Sequence, residues 1–269
     1  MGQSLTKIAS VENEELCLSL IPTQANLKLI NEFLDSKKEK YDKFNFTGGK
    51  AYKLYEKFSK ELNVNLIDEF QTIVKGTECV FLLENNKDLS ASLIVTIGTG
   101  TSIILKSEEF FKHLGGSALG GGFFIGIFKI FYDSTDFQEA LNLAKTGNRY
   151  NIDLKVSDIY DPKDNRIDLL FREFTAASFG KIDNSFNLQS MKKEDLLNSV
   201  VCLIGENIGT MACLMAENNK VENLVFSGGF MKNNKILKQI LSLISKVNKK
   251  NAIFLRNSEY CGAIGALLS

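Results

Sequence analysis

The chain has 269 residues, enough for about two domains, and its 44% hydrophobic and 24% charged residues are the balance of an ordinary globular protein. Its 32 Lys and Arg against 32 Asp and Glu leave no net charge, which excludes a nucleic-acid binder working by bulk charge. The single histidine, His113, excludes a two-histidine zinc site and leaves one residue on which a Ser–His–Asp triad could be built.

The elements alternate along the chain. Strand-like alternation marks residues 4–9 and 16–21, the second run ending at Pro22. Leu27, Ile30 and Leu34 recur at helical spacing and predict a helix over about 24–38. A strand Phe44-Asn45-Phe46 ends in Thr47-Gly48-Gly49, and Tyr52, Tyr55, Phe58 and Leu62 mark the apolar face of a second helix. Asp68 and Glu69 fall at a strand end, before the periodic run Ile73 to Leu83 and the polar break 85–88. A buried strand over 93–97, the turn Gly98-Thr99-Gly100-Thr101 and a returning strand over 102–105 form a hairpin. A glycine-rich stretch over 115–122 leads into an apolar helix reaching about 131. Further helices are predicted over 136–146 and, long and amphipathic, over 191–217; the latter is equally a dimer element or a core helix. Strand 224–226, helix 233–247, strand 252–255 and a small-residue helix over 261–268 close the chain. The class is α/β.

The five cysteines are scattered, without C-x-x-C spacing, and read as buried free thiols. No signal-peptide pattern opens the chain, and the most apolar stretch, 119–131, carries Lys129 and is too short to span a bilayer. A cytoplasmic protein is expected.

Glycine lets backbone N–H groups approach a ligand closely, so a strand–glycine turn can line amides on phosphate oxygens. Gly98–Thr101 is one such turn. Gly120-Gly121-Gly122, opening a helix, offers an anion site, and Ser227-Gly228-Gly229 at a strand end is a third. Each alone is a plain tight turn at least as readily; three at strand ends of one α/β chain point to a nucleotide. There is neither G-x-x-x-x-G-K-[ST] nor a G-x-G-x-x-G after the first strand, which weakens the P-loop and Rossmann readings. Two glycine hairpins gripping a triphosphate suit an actin-like ATPase instead. Asp68-Glu69 is a reasonable place for a base that takes a hydroxyl proton.

With these residues laid out, nearly the whole chain resembles the type II pantothenate kinases. The resemblance is carried by Gly2-x-Ser4-Leu5-x-Lys7, Thr47-Gly48-Gly49, the Asp68-Glu69 context ending in Lys75-Gly76, and Ile97-Gly98-Thr99-Gly100-x-Ser102. It continues through Gly116-Ser117-x-Leu119-Gly120-Gly121-Gly122, Ile152-Asp153-Leu154-Lys155-Val156-x-Asp158-Ile159-Tyr160 and Ala176-x-Ser178-Phe179-Gly180. Phe226-x-Gly228-x-Phe230 and the run 262–268 end it. The resemblance implies an actin-like (ribonuclease H-like) fold of two similar lobes, 1–90 and 91–269, with a truncated first strand. It implies transfer of the γ-phosphoryl of Mg-ATP to pantothenate, the first step of coenzyme A synthesis, usually by a homodimer.

Carried over by position, Glu69 is the general base. Gly2, Ser4, Lys7, Gly98, Thr99, Gly100, Gly120, Gly121 and Gly122 hold phosphates, and Gly228 and Gly229 lie at the adenosine. His113, Thr99 and Gly116 lie on the pantothenate side. ATP and Mg²⁺ are the expected cofactors, with no protein residue assigned to the metal. Pantothenate, ATP and a second copy of the chain are the expected partners, coenzyme A or an acyl-CoA is a candidate inhibitor, and no nucleic acid or membrane is expected.

The chain departs from the family at its start, where the opening Asp-x-Gly would place its Asp just before Met1; a misplaced start or a fragment is the favoured explanation. It departs again at His113, where the family has an arginine, and at Gln3 and Asn148. Two alternatives stay open: a catalytically impaired pseudokinase that binds nucleotide or acyl-CoA, and a kinase of the same fold for another small alcohol.

Overall fold

A computed structural model describes residues 1–23, 27–166 and 171–269. The chain opens as an antiparallel hairpin, β1 (Leu5–Glu12) and β2 (Glu15–Pro22), with Leu5 opposite Pro22 and Glu12 opposite Glu15. Asn13 and Glu14 turn it at φ of 52° and 66°, the left-handed pair that matches a two-residue turn to the strand twist. Helix α1 (Lys28–Lys37) follows; positions 24–26 of the helix expected over 24–38 lie outside the described residues. β3 (Phe44–Thr47), α2 (Ala51–Phe58) and β4 (Val64–Ile67) form a unit whose strands pair in parallel. The apolar face of α2 is Ala51, Leu54 and Phe58, whereas Tyr52, expected on that face, is 57% exposed.

α3 (Glu69–Asn85) ends at Asn86 in the left-handed conformation. β5 (Ser92–Ile97), β6 (Thr101–Lys106) and β7 (Phe111–Ser117) then form a meander, with β6 antiparallel to both β5 and β7. β7 is a strand that the sequence pattern does not mark, and it takes in the start of the glycine-rich stretch 115–122. Its glycines hide the alternation, yet Gly116 is what permits the pairing, since a Cβ there would lie 2.0 Å from the Thr101 carbonyl oxygen.

α4 (Gly121–Tyr132), α5 (Phe137–Thr146), β8 (Leu154–Lys155), α6 (Val156–Ile159), β9 (Thr175–Ala177) and α7 (Lys193–Asn218) follow. The chain closes with β10 (Asn223–Ser227), α8 (Lys235–Val247), β11 (Asn251–Phe254) and α9 (Cys261–Leu267). The five-stranded sheet has the order β11-β10-β5-β6-β7, with β10 parallel to both β5 and β11. Both faces of β5 are covered, Leu93, Val95 and Ile97 by the core under α4, α5 and α7, and Ile94 by the core under α3 and α9. That double burial is why its sequence is an unbroken apolar run. α7 is long and apolar enough to cross a membrane by composition, and in this fold it is mostly buried, as a core helix is.

One arrangement occurs twice. β3–α2–β4–α3 is matched by β10–α8–β11–α9, and the hairpin β1–β2 by β6–β7. The two copies meet where α3 packs on α9.

Candidate active site

A cleft of about 950 Å³ opens among the Gly2–Leu5 turn, the Gly98–Thr101 turn, the first turn of α3 and the loops that follow β10 and β11. Of the residues expected to bind ATP, Gly2, Ser4, Lys7, Gly98, Thr99, Gly100, Gly121, Gly122, Gly228 and Gly229 line it, and so does Glu69.

Asp68 and Glu69 divide the work at the head of α3. Asp68 is the N-cap, its carboxylate accepting from the Gln71 N–H at 2.8 Å. Glu69 is the first helical residue, and its exposed side chain borders the cleft. The turn beneath is fixed from within: the Thr72 hydroxyl donates to the Glu69 carbonyl at 2.8 Å, and the Thr47 and Thr72 hydroxyls bond to each other at 3.0 Å. Thr47 thereby ties the Thr47-Gly48-Gly49 turn to α3. Lys50 donates from the same loop to the Gln3 carbonyl at 3.2 Å.

The glycine triplet corrects an expectation. The N–H groups of Gly121 and Gly122, read as anion donors, instead donate to the carbonyls of Gly98 and Thr99 at 2.8 and 2.9 Å. The triplet brings α4 against the Gly98–Thr101 turn: a Cβ on Gly120 would lie 2.7 Å from the Thr99 oxygen, and one on Gly122 would lie 2.6 Å from Thr99 Cγ2. Gly120 itself is buried and does not line the cleft. Among the described residues no backbone hydrogen bond uses the N–H of Thr99 or Gly100, so these two are the donors the turn has to offer. Gly228 holds φ +104°, and a Cβ there would lie 2.5 Å from the Ile97 oxygen, so the ends of β10 and β5 close up only because it is glycine.

Lys7 occupies the middle. Its ammonium lies within 3.6 Å of a Cβ built on Gly2 and 3.9 Å of one on Gly229, and it donates to the Leu5 carbonyl at 3.4 Å. Burial lowers its pKa, while the charges of Glu259 and Glu69 act against that. Glu259 was not anticipated. It lines the cleft, its side chain is 8% exposed, and Lys232 pairs with it at 2.9 Å. The one signal in the sequence is an acid placed two residues before the small-residue helix α9.

Two of the residues expected at pantothenate lie off the cleft wall. Gly116 is within β7 with its strand-pairing role, and His113 is exposed on β7, stacked on Phe70. Thr99 does line the cleft. The segment from Ile152 to Tyr160 also lies elsewhere. Its Asp153 is fully buried and accepts from Arg149 Nε at 2.6 Å, the Ser199 hydroxyl at 2.6 Å and the Phe179 N–H at 2.8 Å. It thus joins the 152–160 and 176–180 segments to α7, with Arg149 completing the link through a two-pronged pair with Glu206 at 2.6 and 3.0 Å. Burial alone would lower the Arg149 pKa, but the pairs with Glu206 and Asp153 overcome it and the net shift is upward. Of the cysteines, Cys202, Cys213 and Cys261 are buried as expected, whereas Cys17 is exposed on the hairpin.

The fold recurs in solved structures. The activator of 2-hydroxyisocaproyl-CoA dehydratase from Clostridium difficile, with bound ADPNP, superposes with a TM-score of 0.63 at 15% identity, covering 100% of this chain and 91% of that one. A ROK family glucokinase from Streptomyces griseus, in complex with glucose and AMPPNP, gives 0.57 at 10% identity, covering 99% and 96%. These are actin-like ATPase folds. Closer in sequence is a type II pantothenate kinase of Bacillus cereus (strain ATCC 10987 / NRS 248), 32% identical over 276 residues that span 99% of this chain and 94% of the relative. Another from Oceanobacillus iheyensis is 32% identical over 273 residues, spanning 100% and 97%. The family model described as Fumble matches residues 4–269, so the Gly98 and Gly228 turns, the head of α3 and the α3–α9 crossing all fall inside one match, and the chain belongs to the type II pantothenate kinase family.

Proposed function

We propose that this chain phosphorylates pantothenate with ATP, giving 4′-phosphopantothenate for coenzyme A synthesis, and that Glu69 is the general base. The observation that carries the assignment of the base is the shared cleft: Glu69 at the head of α3, the free amides of Thr99 and Gly100, and Lys7 between the Gly2 and Gly229 turns. In phosphoryl transfer the protein chiefly positions the reactants and neutralises charge. The Thr99 and Gly100 amides and the Lys7 ammonium meet the phosphate oxygens, where charge builds up in the transition state. Glu69 accepts the proton of the substrate hydroxyl as that oxygen bonds to the γ-phosphorus. The bond from the γ-phosphorus to the bridging oxygen breaks, and ADP leaves with the electron pair.

Mg²⁺ enters as part of the Mg-ATP substrate. The donors present suit that role: Glu69 and Glu259 are the carboxylates that line the cleft, and Mg²⁺ commonly binds through phosphates, water and one or two carboxylates. When bound, it neutralises phosphate charge. We further read residues 1–90 and 91–269 as the two lobes, and the enzyme as a cytoplasmic homodimer open to inhibition by coenzyme A or an acyl-CoA, on the strength of the family resemblance. Light scattering with and without acetyl-CoA tests the dimer and an effect of that ligand on it.

The deciding experiment is mass-spectrometric detection of 4′-phosphopantothenate from purified protein, Mg-ATP and pantothenate, with Glu69→Ala alongside. A general base is worth about 10²–10⁴-fold in rate, so the variant keeps ATP binding and loses most turnover. Undiminished turnover in Glu69→Ala removes the base assignment.

A further inference from the structure

His113 does not line the cleft, yet its ring lies flat on that of Phe70, with centroids 4.1 Å apart and planes 11° apart. Phe70 is the residue after Glu69, in the first turn of α3. An extra residue in β7 brings His113 there. Ile103 pairs with Gly115 and Ile104 with His113, which leaves Leu114 as a bulge.

Side chains paired directly across an antiparallel ladder project to the same face. In an unbroken register His113 would oppose Leu105, whose side chain belongs to the core under α4, α5 and α7. The bulge sets it opposite Ile104 instead, which belongs to the core under α3 and α9, and sends Leu114 to the other core. Phe70 packs against the same core as Ile104. Re-aiming a side chain next to an active site is a known use of a bulge.

The first turn of a helix lacks intrahelical partners for its N–H groups and depends on outside restraints. Here Asp68 caps it and the Thr47–Thr72 hydroxyl pair holds its inner side. The stack restrains it from β7.

We propose that His113 is a positioning residue: by stacking on Phe70 it fixes the first turn of α3 and so the direction in which Glu69 meets the substrate hydroxyl. The inference rests on the reading of Glu69 as general base, and it replaces direct contact with pantothenate as the role of His113.

The test compares the full chain with His113→Ala, His113→Phe, Glu69→Gln and the double variant His113→Ala/Glu69→Gln. Steady-state kinetics with pantothenate and Mg-ATP are read beside hydrogen exchange of the Gln71 and Thr72 amides, both of which bond to Asp68. An aromatic pair of this kind corresponds to about a 2- to 10-fold effect. His113→Ala is expected to lower kcat by that factor, leave both KM values in place and speed exchange in the first turn of α3. His113→Phe keeps a ring on Phe70 and recovers both. In the Glu69→Gln background His113→Ala costs nothing further, because the two act as one unit.

Three results overturn the proposal. His113→Phe as impaired as His113→Ala, with KM for pantothenate raised, means direct substrate contact. An equal loss from His113→Ala in the Glu69→Gln background means an effect that bypasses Glu69. Unchanged exchange in His113→Ala means no positioning of the turn. Exchange in the rest of the chain reports general unfolding, and His113→Phe carries the comparison if the alanine variant does not fold. Wild-type turnover in Glu69→Gln defeats the general-base reading by itself, and the exchange arm distinguishes that from failure of the stack.

Discussion

Gly265 of α9 faces Gly76 of α3 so closely that a Cβ on Gly265 would stand 2.9 Å from the Gly76 nitrogen and 1.8 Å from the Thr72 carbonyl oxygen. The reverse holds too, with a Cβ on Gly76 at 1.8 Å from the Cys261 oxygen. This crossing joins the two repeated halves, setting Thr72 of α3 against Gly265 and Gly76 against Cys261 of α9, and the first turns of both helices border the cleft. The obstacles are backbone atoms, which no rotamer can move aside. Gly265→Ala is therefore expected to push the helices apart and to cost at least the about 1–3 kcal/mol typical of overpacking. Urea unfolding should show a lower midpoint with an unchanged slope.

Gly122 and Gly126 lie on the same helix and should respond oppositely. A Cβ on Gly122 would strike Thr99 Cγ2, whereas one on Gly126 meets nothing within 4 Å. Gly122→Ala displaces the Thr99 turn and is expected to raise KM for ATP about 10- to 150-fold, the worth of a hydrogen bond to a charged group. Gly126→Ala should leave KM alone and stabilise the fold by about 0.5–1 kcal/mol. Kinetics and thermal melting of the pair check this.

Lys7 gives the cleft a pH dependence with a definite sign. Burial holds its pKa below the ordinary 10.5, against the pull of Glu259 and Glu69. The folded chain thus binds fewer protons than the unfolded one between the depressed value and 10.5, and stability contributed by this group rises with pH across that window. A bound triphosphate favours the charged form. ATP binding should therefore take up protons in alkaline buffer and weaken as pH climbs through the window. Calorimetry in two buffers of different ionisation enthalpy measures the uptake, which Lys7→Met should abolish.

Asp153 is a structural hub by every contact it makes. Asp153→Ala strands the Ser199 hydroxyl and the Phe179 N–H and leaves Arg149 with Glu206 alone, an expected loss of about 3–5 kcal/mol. Since Asp153 does not line the cleft, KM for both substrates should hold at temperatures where the variant stays folded. Denaturation and kinetics on one preparation separate the two effects.

Thiol labelling should follow burial. Burial pushes the Cys202 thiol up to about 11 and the Cys261 thiol up to about 12, so both stay protonated at neutral pH. Iodoacetamide is expected to modify Cys17 first and to reach Cys202, Cys213 and Cys261 only after denaturation, as peptide mapping would show.

Local patterning carried most of the architecture. The apolar run 93–97, the amphipathic stretch 191–217 and the glycine turns at strand ends mark elements through their own neighbours in sequence, and β5, α7 and the Gly98 turn stand where those patterns put them. The ordered series of motifs identified the family, because chain order survives in sequence, and it pointed to Glu69 and to glycine turns that do line one cleft.

What the tertiary structure decided were relationships between distant residues. The N–H groups of Gly121 and Gly122 looked free in sequence; only the docking of α4 gives them the carbonyls of Gly98 and Thr99. Glu259 joins the cleft because β11 ends beside β10, which places it within reach of Lys232. His113 meets Phe70 because one extra residue in β7 reverses which face it occupies. A hydrogen bond, a buried charge pair and a strand register each depend on what lies across the fold, and side-chain periodicity along the chain reports only which residues face inward.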